Sequence, residues 1–225
     1  MTTVEKLNYL ISIKSDIKAA IENKGVDMTG VSFPGYASKI GDIVSGVGYT
    51  DRDVIEAKYQ YNISNSASFV YSGAFEYKLV ETVNLPNCLY VGSYAFRDCY
   101  SLSQISLPVC SSIGYKAFYE CHSLSQVSLP VCSSIGSLAF FGCSSLLQVS
   151  LPMCSSIGNY AFEWCKSLSI ITIGYSGVCS LGSSVFSITK ITSSTGSIYV
   201  PASLVDLYKS ATNWSQYSNR IYSIR

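Results

Sequence analysis

The sequence predicts an α+β solenoid, in which repeat units of about 22 residues stack on a parallel sheet between a small N-terminal helical module and a C-terminal cap. Three observations predict it. Leu-Pro recurs at Leu85-Pro86, Leu107-Pro108, Leu129-Pro130 and Leu151-Pro152. Ala-Phe recurs at Ala95-Phe96, Ala117-Phe118, Ala139-Phe140 and Ala161-Phe162. Cys88, Cys99, Cys110, Cys121, Cys132, Cys143, Cys154 and Cys165 follow one another every 11 residues, and Cys179 falls out of step. So regular an interval belongs to a repeat, and the cysteines are read inside it.

Residues 1–46 read as the helical module. Thr2-x-x-Glu5 is a capping box, and Val4, Leu7, Leu10, Ile11, Ile17 and Ile21 recur at helical spacing up to Lys24, where Gly25 supplies a stop. Ser32 to Ile43 reads as a second, short helix with Tyr36, Ile40 and Ile43 apolar. Two such helices have little core of their own. They are expected to pack on the solenoid end, self-associate, or dock onto a partner. Residues 47–68 read as a linker and N-terminal cap, in which Asp51, Asp53 and Glu56 form a solvated run.

The solenoid is expected over residues 69–196. One unit reads Leu102-x-x-Ile105-x-Leu107-x-x-Cys110-x-x-Ile113-Gly114-x-x-Ala117-Phe118-x-x-Cys121. Alternation at Ile105 and Leu107 places both side chains on one face of a short strand, and Pro108, with no N–H to donate, ends the ladder. Gly114 is expected to bend the chain back, with Ile113, Ala117, Phe118 and Cys121 filling the far side of the interior. No unit buries its apolar set alone. Stacked at about 4.8 Å, the units share one core, with the phenylalanines in one buried column and the cysteines in two. The pattern decays at both ends, upstream at Val70-x-x-x-Ala74-Phe75 and downstream through a two-residue insertion to Val185-Phe186. Residues 197–225 form the cap: a last strand at Ile198-Tyr199-Val200-Pro201, then a helix-like Ser203 to Tyr208, with Trp214, Tyr217 and Ile221 covering the open end of the core.

Composition bounds the function. The chain of 225 residues is 48% hydrophobic, only 13% charged and carries a formal net charge of +1. So weak a field favours neither nucleic acid nor an anionic membrane surface. No apolar run approaches the roughly 18 residues that span a bilayer, and the chain opens on an amphipathic segment rather than a signal core. Synthesis and folding in a cytoplasm are therefore expected, and the triplets Asn62-Ile63-Ser64 and Asn213-Trp214-Ser215 are read as chance glycosylation matches. The cysteines are expected to be small apolar fillers. Same-column thiols point in parallel, a poor disulfide geometry, and no short C-x₂₋₄-C spacing suggests a metal. No cofactor is expected.

The first half of the unit fits the leucine-rich-repeat template L-x-x-L-x-L-x-x-N/C. The whole unit, L-x-x-[IV]-x-L-P-x-C-x-x-I-G-x-x-A-F-x-x-C-x-S-L, resembles the BspA-like (type 5) leucine-rich repeats over about residues 69–201. The ending Ile198-Tyr199-Val200-Pro201-Ala202-Ser203-Leu204-Val205-Asp206-Leu207-Tyr208-Lys209, with Asn213-Trp214, is similar to the C-terminal cap of such proteins from gut bacteria and their phages. Ile17 to Val26, with Tyr36-Ala37-Ser38-Lys39-Ile40, looks like the leader of gut-phage and prophage tail and fibre proteins. The resemblance implies a surface or virion protein for adhesion and protein binding. It places the chain in a virion made in the host cytoplasm, or alternatively in the bacterial cytoplasm or on the surface without a recognisable signal peptide. The implied partner is a protein or glycan on a bacterial surface. Homo-oligomerisation or attachment to a virion is expected through residues 1–46, with no nucleic acid and no membrane insertion.

No constellation for catalysis stands out, and a non-enzymatic role is expected. His122 is the only histidine and occupies a slot held elsewhere by Tyr100, Ser144 and Lys166, which marks a solvent position. Two sets of positions are candidates for binding. On the strand, Gln104, Gln126 and Gln148 recur facing out, either as a self-satisfying amide ladder or recent duplication, or as a repetitive polar face for a glycan. Around the second cysteine the residues change from unit to unit: Arg97, Asp98, Tyr100; Tyr119, Glu120, His122; Phe141, Gly142, Ser144; Glu163, Trp164, Lys166. Tyr119, Phe141 and Trp164 either form a partly exposed aromatic stripe, as at protein interfaces and sugar sites, or fold over the phenylalanines and widen the core.

Overall fold

The computed structural model describes residues 62–64, 67–193 and 195–224, all within one compact unit spanning 57–225. The helical module expected at 1–46 and the acidic run at 51–56 lie outside the described residues. In chain order the first strands are β1 (Asn62–Ser64), β2 (Phe69–Val70), β3 (Thr82–Asn84), β4 (Tyr90–Val91), β5 (Gln104–Ser106), β6 (Ser112–Ile113) and β7 (Gln126–Ser128). Then follow β8 (Ser134–Ile135), β9 (Gln148–Leu151), β10 (Ser156–Ile157), β11 (Ile170–Ile173), β12 (Ser180–Leu181) and β13 (Ser197–Val200). A short helix, α1 (Val205–Ser210), and a final strand, β14 (Ile221–Ser223), complete the chain.

Every strand pairing is parallel, and each rung contributes one strand to a front ladder and a two-residue strand to a back ladder. The front ladder falls into two sheets, β1-β3-β5-β7 and β9-β11-β13-β14. The back sheet runs unbroken in the order β2-β4-β6-β8-β10-β12. Sequence reasoning foresaw the front strands but read the back half only as a return. Its Ser-Ile pairs are in fact a second ladder, with Ser112 opposite Ser134 and Ile113 opposite Ile135. The front ladder also begins one strand early, at β1, which pairs with β3 inside the segment read as linker and cap.

Gly114 opens the expected turn, its carbonyl accepting from the Ala117 amide at 3.3 Å. Its backbone is not among the positive-φ positions. A Cβ there would instead lie 2.7 Å from Ser93 N and 2.9 Å from Val91 O, so the glycine permits close approach of the previous rung. Residues in the left-handed region flank each phenylalanine, and most are not glycine, such as Tyr94 (φ 59) and Asp98 (φ 58), or Lys116 (φ 53) and Glu120 (φ 58), with Gly73 (φ 70) and Gly142 (φ 74) beside Phe75 and Phe140.

The phenylalanine column forms as expected and extends further at both ends. Phe75, Phe96, Phe118, Phe140 and Phe162 stack with centroids 5.0–5.3 Å apart, and Phe186 follows at 6.1 Å. Trp214 and Tyr217 close the column against Phe186 at 6.1 and 5.4 Å. The indole of Trp214 donates to Cys179 O at 2.6 Å, and the Tyr208 hydroxyl accepts from Cys179 N at 2.9 Å.

All nine cysteines are buried free thiols in two columns. In the second column each S–H finds a carbonyl of an earlier rung: Cys99 on Phe75 O, Cys121 on Phe96 O, Cys143 on Phe118 O and Cys165 on Phe140 O, at 3.0–3.2 Å. Cys179, out of step in the sequence, rejoins the first column next to Cys154. Gly174–Val178 absorbs the insertion, and β12 remains in register with β10.

Candidate functional site

The variable positions lie just after each phenylalanine, where the left-handed residue turns the chain outward and a constant core stops. The first position after the ring carries Glu76, Arg97, Tyr119, Phe141 and Glu163 on successive rungs. Arg97 pairs with Glu76 at 3.0 Å, sits 6.0 Å over the Tyr119 ring, and Tyr119 stacks on Phe141 at 4.9 Å and 5°. The result is one continuous, half-buried column. Trp164 does not continue it. It occupies the left-handed position one residue further on (φ 62), and Glu163 takes the slot that aligns with Phe141. The expected single stripe is therefore two rows: Tyr119 and Phe141 widen the core, while Trp164 stands 41% exposed.

The outer row is built on the position after the cysteine. Tyr100 and His122 stack at 5.5 Å, Ser144 follows, and Lys166 lies 5.1 Å over the Trp164 ring. Tyr100 donates to the buried Asp98 carboxylate at 3.1 Å, and that contact holds its phenol above the ordinary value. Asp98 also lies 3.0 Å from Arg97 Nε, a charge contact that lacks hydrogen-bond alignment. His122 Nδ1 meets Gly142 O at 2.9 Å and Nε2 meets Glu120 Oε2 at 3.0 Å. The Nδ1 contact is a hydrogen bond, and the Nε2 contact is a close approach to a carboxylate oxygen. Gly142 (φ 74) leaves room for this: a Cβ there would meet the Glu120 carboxylate at 2.8–3.0 Å. The fourth rung thus presents only Gly142 and Ser144 between Glu120 and His122 on one side and Trp164 and Lys166 on the other.

Gln104, Gln126 and Gln148 sit exposed on β5, β7 and β9, four residues after Tyr100, His122 and Ser144 of this row. No amide ladder forms: no side-chain hydrogen bond joins these glutamines among the described residues. The exposed side-chain ladders that do form are made of serine. Ser111, Ser133 and Ser155 Oγ donate to the carbonyls of Leu89, Ser111 and Ser133 at 3.0–3.1 Å. Thr82, Asn84, Gln104, Ser106, Gln126 and Ser128 line a groove on the front sheet together with Val83, Ile105 and Val127, and no strand pairing joins β7 to β9. The sequence placed Arg97 and Glu120 in the variable set without singling them out, and they tie the two rows together. The available signal was their position in the same variable slots as Tyr119 and Trp164.

Parallel rungs with a shared core and outward variable side chains define a class, the repeat-solenoid binding scaffold. The model of the BspA type leucine rich repeat region matches residues 68–192 in six copies, and the chain belongs to that family. Among solved structures, the chain is similar to a leucine-rich repeat protein from Bacteroides ovatus, with 23% identity, TM-score 0.53, and 73% of this chain and 42% of that one covered. It is likewise similar to a leucine rich cell surface protein from Faecalibacterium prausnitzii, with 21% identity, TM-score 0.53, and 73% and 48% covered. These likenesses concern the fold, and the chain spans less than half the length of either protein. No curated protein matches the sequence. Among the described residues no helix is long and apolar enough to cross a membrane.

Proposed function

We propose that this chain is a non-catalytic recognition protein, associated with a phage or prophage tail, that presents its outer row to a protein or glycan on a bacterial surface. The observation that carries the reading is the contrast between an invariant core and the changing row Tyr100, His122, Ser144 and Lys166 with Trp164, held on a rigid frame. A preformed surface loses little entropy on binding, and copies on one particle add their contacts. Virion attachment through residues 1–46 rests on the leader resemblance. The non-catalytic reading is supported by His122, whose ring nitrogens face a carboxylate and a carbonyl rather than a nucleophile, and by thiols that are all buried.

The second reading is a bacterial leucine-rich-repeat interaction module. It is favoured by the description of the Faecalibacterium protein as a cell surface protein. Two measurements test the pair. Labelled full-length chain is mixed with gut bacteria and cell-bound label is counted, with and without Tyr100→Ala and Trp164→Ala. Loss of an interface aromatic costs about tenfold or more in affinity, and binding unchanged by both substitutions would sink the outer row. An antibody to the chain then decides its place, in purified particles for the first reading and in the cell envelope for the second.

A further inference from the structure

In the bends around the phenylalanine column, alternate peptide units all point the same way. The amides of Tyr94, Phe96 and Asp98 donate to the carbonyls of Tyr115, Ala117 and Tyr119, one rung ahead, at 2.7–2.9 Å. The same three bonds recur from Lys116, Phe118 and Glu120 to Ser137, Ala139 and Phe141, and from Leu138, Phe140 and Gly142 to Asn159, Ala161 and Glu163. They recur once more from Tyr160, Phe162 and Trp164 to Ser183, Val185 and Ser187. In a β-ladder successive amides alternate in direction. Here the left-handed residues that flank each phenylalanine turn the intervening planes over, so the bonded carbonyls face the N-terminal end and the bonded amides face the C-terminal end. Aligned peptide dipoles of about 3.5 D each add, as they do along a helix. The C-terminal end of this column is therefore its positive end.

The column stops at Ser184, Phe186 and Ile188. The Phe186 amide meets the Tyr217 hydroxyl. The Ser184 and Ile188 amides have no protein acceptor among the described residues, and Ile188 repeats the left-handed geometry of Trp164, with φ 57 against 62. Ile188 borders an open depression with Lys166, Thr189, Thr192 and Ser193. The hydroxyl protons there are already used, on Phe186 O, Thr189 O and Lys190 O. The free donors are the Ile188 and Thr192 amides and the Lys166 ammonium, which has no carboxylate partner among the described residues and rests against the Trp164 ring. No acidic side chain lines the depression. An unsatisfied amide at the positive end of a dipole column, beside an unpaired cation, is an anion-binding arrangement.

We infer that this depression binds an oxyanion, one oxygen of a carboxylate or sulfate accepting from Ile188 N–H and another from Lys166 Nζ. The anion is either free or carried on an acidic polymer, and the experiment separates the two. Backbone amides and lysine ammonium groups of the full-length chain are followed by NMR while sodium sulfate, or trigalacturonate, is added at constant ionic strength against sodium chloride. Saturable shifts at Ile188, Thr189 and Lys166 are expected with the probe that represents the true source. Lys166→Met raises its half-saturating concentration about tenfold, the worth of a charge-assisted hydrogen bond, and Lys190→Met, which removes an equal charge but no donor assigned to the anion, leaves it within about twofold. Shifts that never saturate with either probe, that chloride reproduces, or that Lys190→Met weakens as much as Lys166→Met would overturn the site. Neither probe depends on a bacterial partner, so this result stands or falls apart from the proposed recognition role.

Discussion

At the scale of single residues, spacing between rungs is enforced by atoms that are missing. Gly136 faces Gly114, and a Cβ on it would lie 2.7 Å from Gly114 C and 2.9 Å from Ile113 O, both backbone atoms that no rotamer change can move aside. Gly136→Ala therefore has to push two rungs apart across the back sheet. Overpacking of this kind costs about 1–3 kcal/mol, and a urea unfolding curve of the variant should show its midpoint lowered by that free energy divided by the slope, with the slope itself unchanged. A variant as stable as the parent would mean that the rungs are less closely held than this geometry requires. Gly142 is different, since its positive φ and the Glu120 carboxylate above it belong to the outer row. Its role was invisible in the sequence, where it looked like one more variable residue.

At the scale of the element, the cysteine columns are legible as buried but not as hydrogen-bonded. Burial pushes the Cys99 and Cys132 thiols up to about 12 from an ordinary 9.0, and it pushes Cys121 and Cys143 well above that ordinary value too. The folded chain holds these protons where the unfolded chain releases them. Stability from this source is complete below pH 9.0 and drains away as the pH rises toward 12. Burial raises Tyr208 from 10.0 to about 12 and adds a loss of the same sign in the upper part of that window. Unfolding free energies at pH 7.5, 9 and 10.5 should thus be level and then fall, and thiol reagents should be inert toward the folded chain at the lowest pH. Rapid labelling of the folded chain there would contradict burial of the columns.

At the scale of the whole molecule, a stack of identical rungs has two ends, and the described C-terminal one is closed by aromatics. Trp214 is fully buried, seals the phenylalanine column at Phe186 and donates to Cys179 O. Trp214→Ala removes a large core side chain and leaves that carbonyl without its donor, a loss of about 3–5 kcal/mol. It also loosens β14, whose removal would bare the parallel edge of β13 to another chain. The expected outcome is a lowered melting temperature with larger species by light scattering. Loss of stability without association would show that β14 holds its place independently of the indole.

The period, the front strands, the buried phenylalanine and cysteine columns, and the aromatic cap were all legible in the residue pattern. Each of these depends on side chains that are apolar at every repeat, and burial of apolar surface leaves its mark on composition position by position. Visible only in the folded chain are the back ladder of Ser-Ile pairs, the break between β7 and β9, the return of Cys179 to its column, the splitting of Tyr119 and Phe141 from Trp164, and the one-way run of peptide units that ends at Ile188. These rest on backbone hydrogen bonds between residues about one repeat apart and on left-handed turns taken by tyrosine, aspartate, lysine and tryptophan alike. A backbone amide looks the same in every residue type, so where it points is settled by the rung beside it.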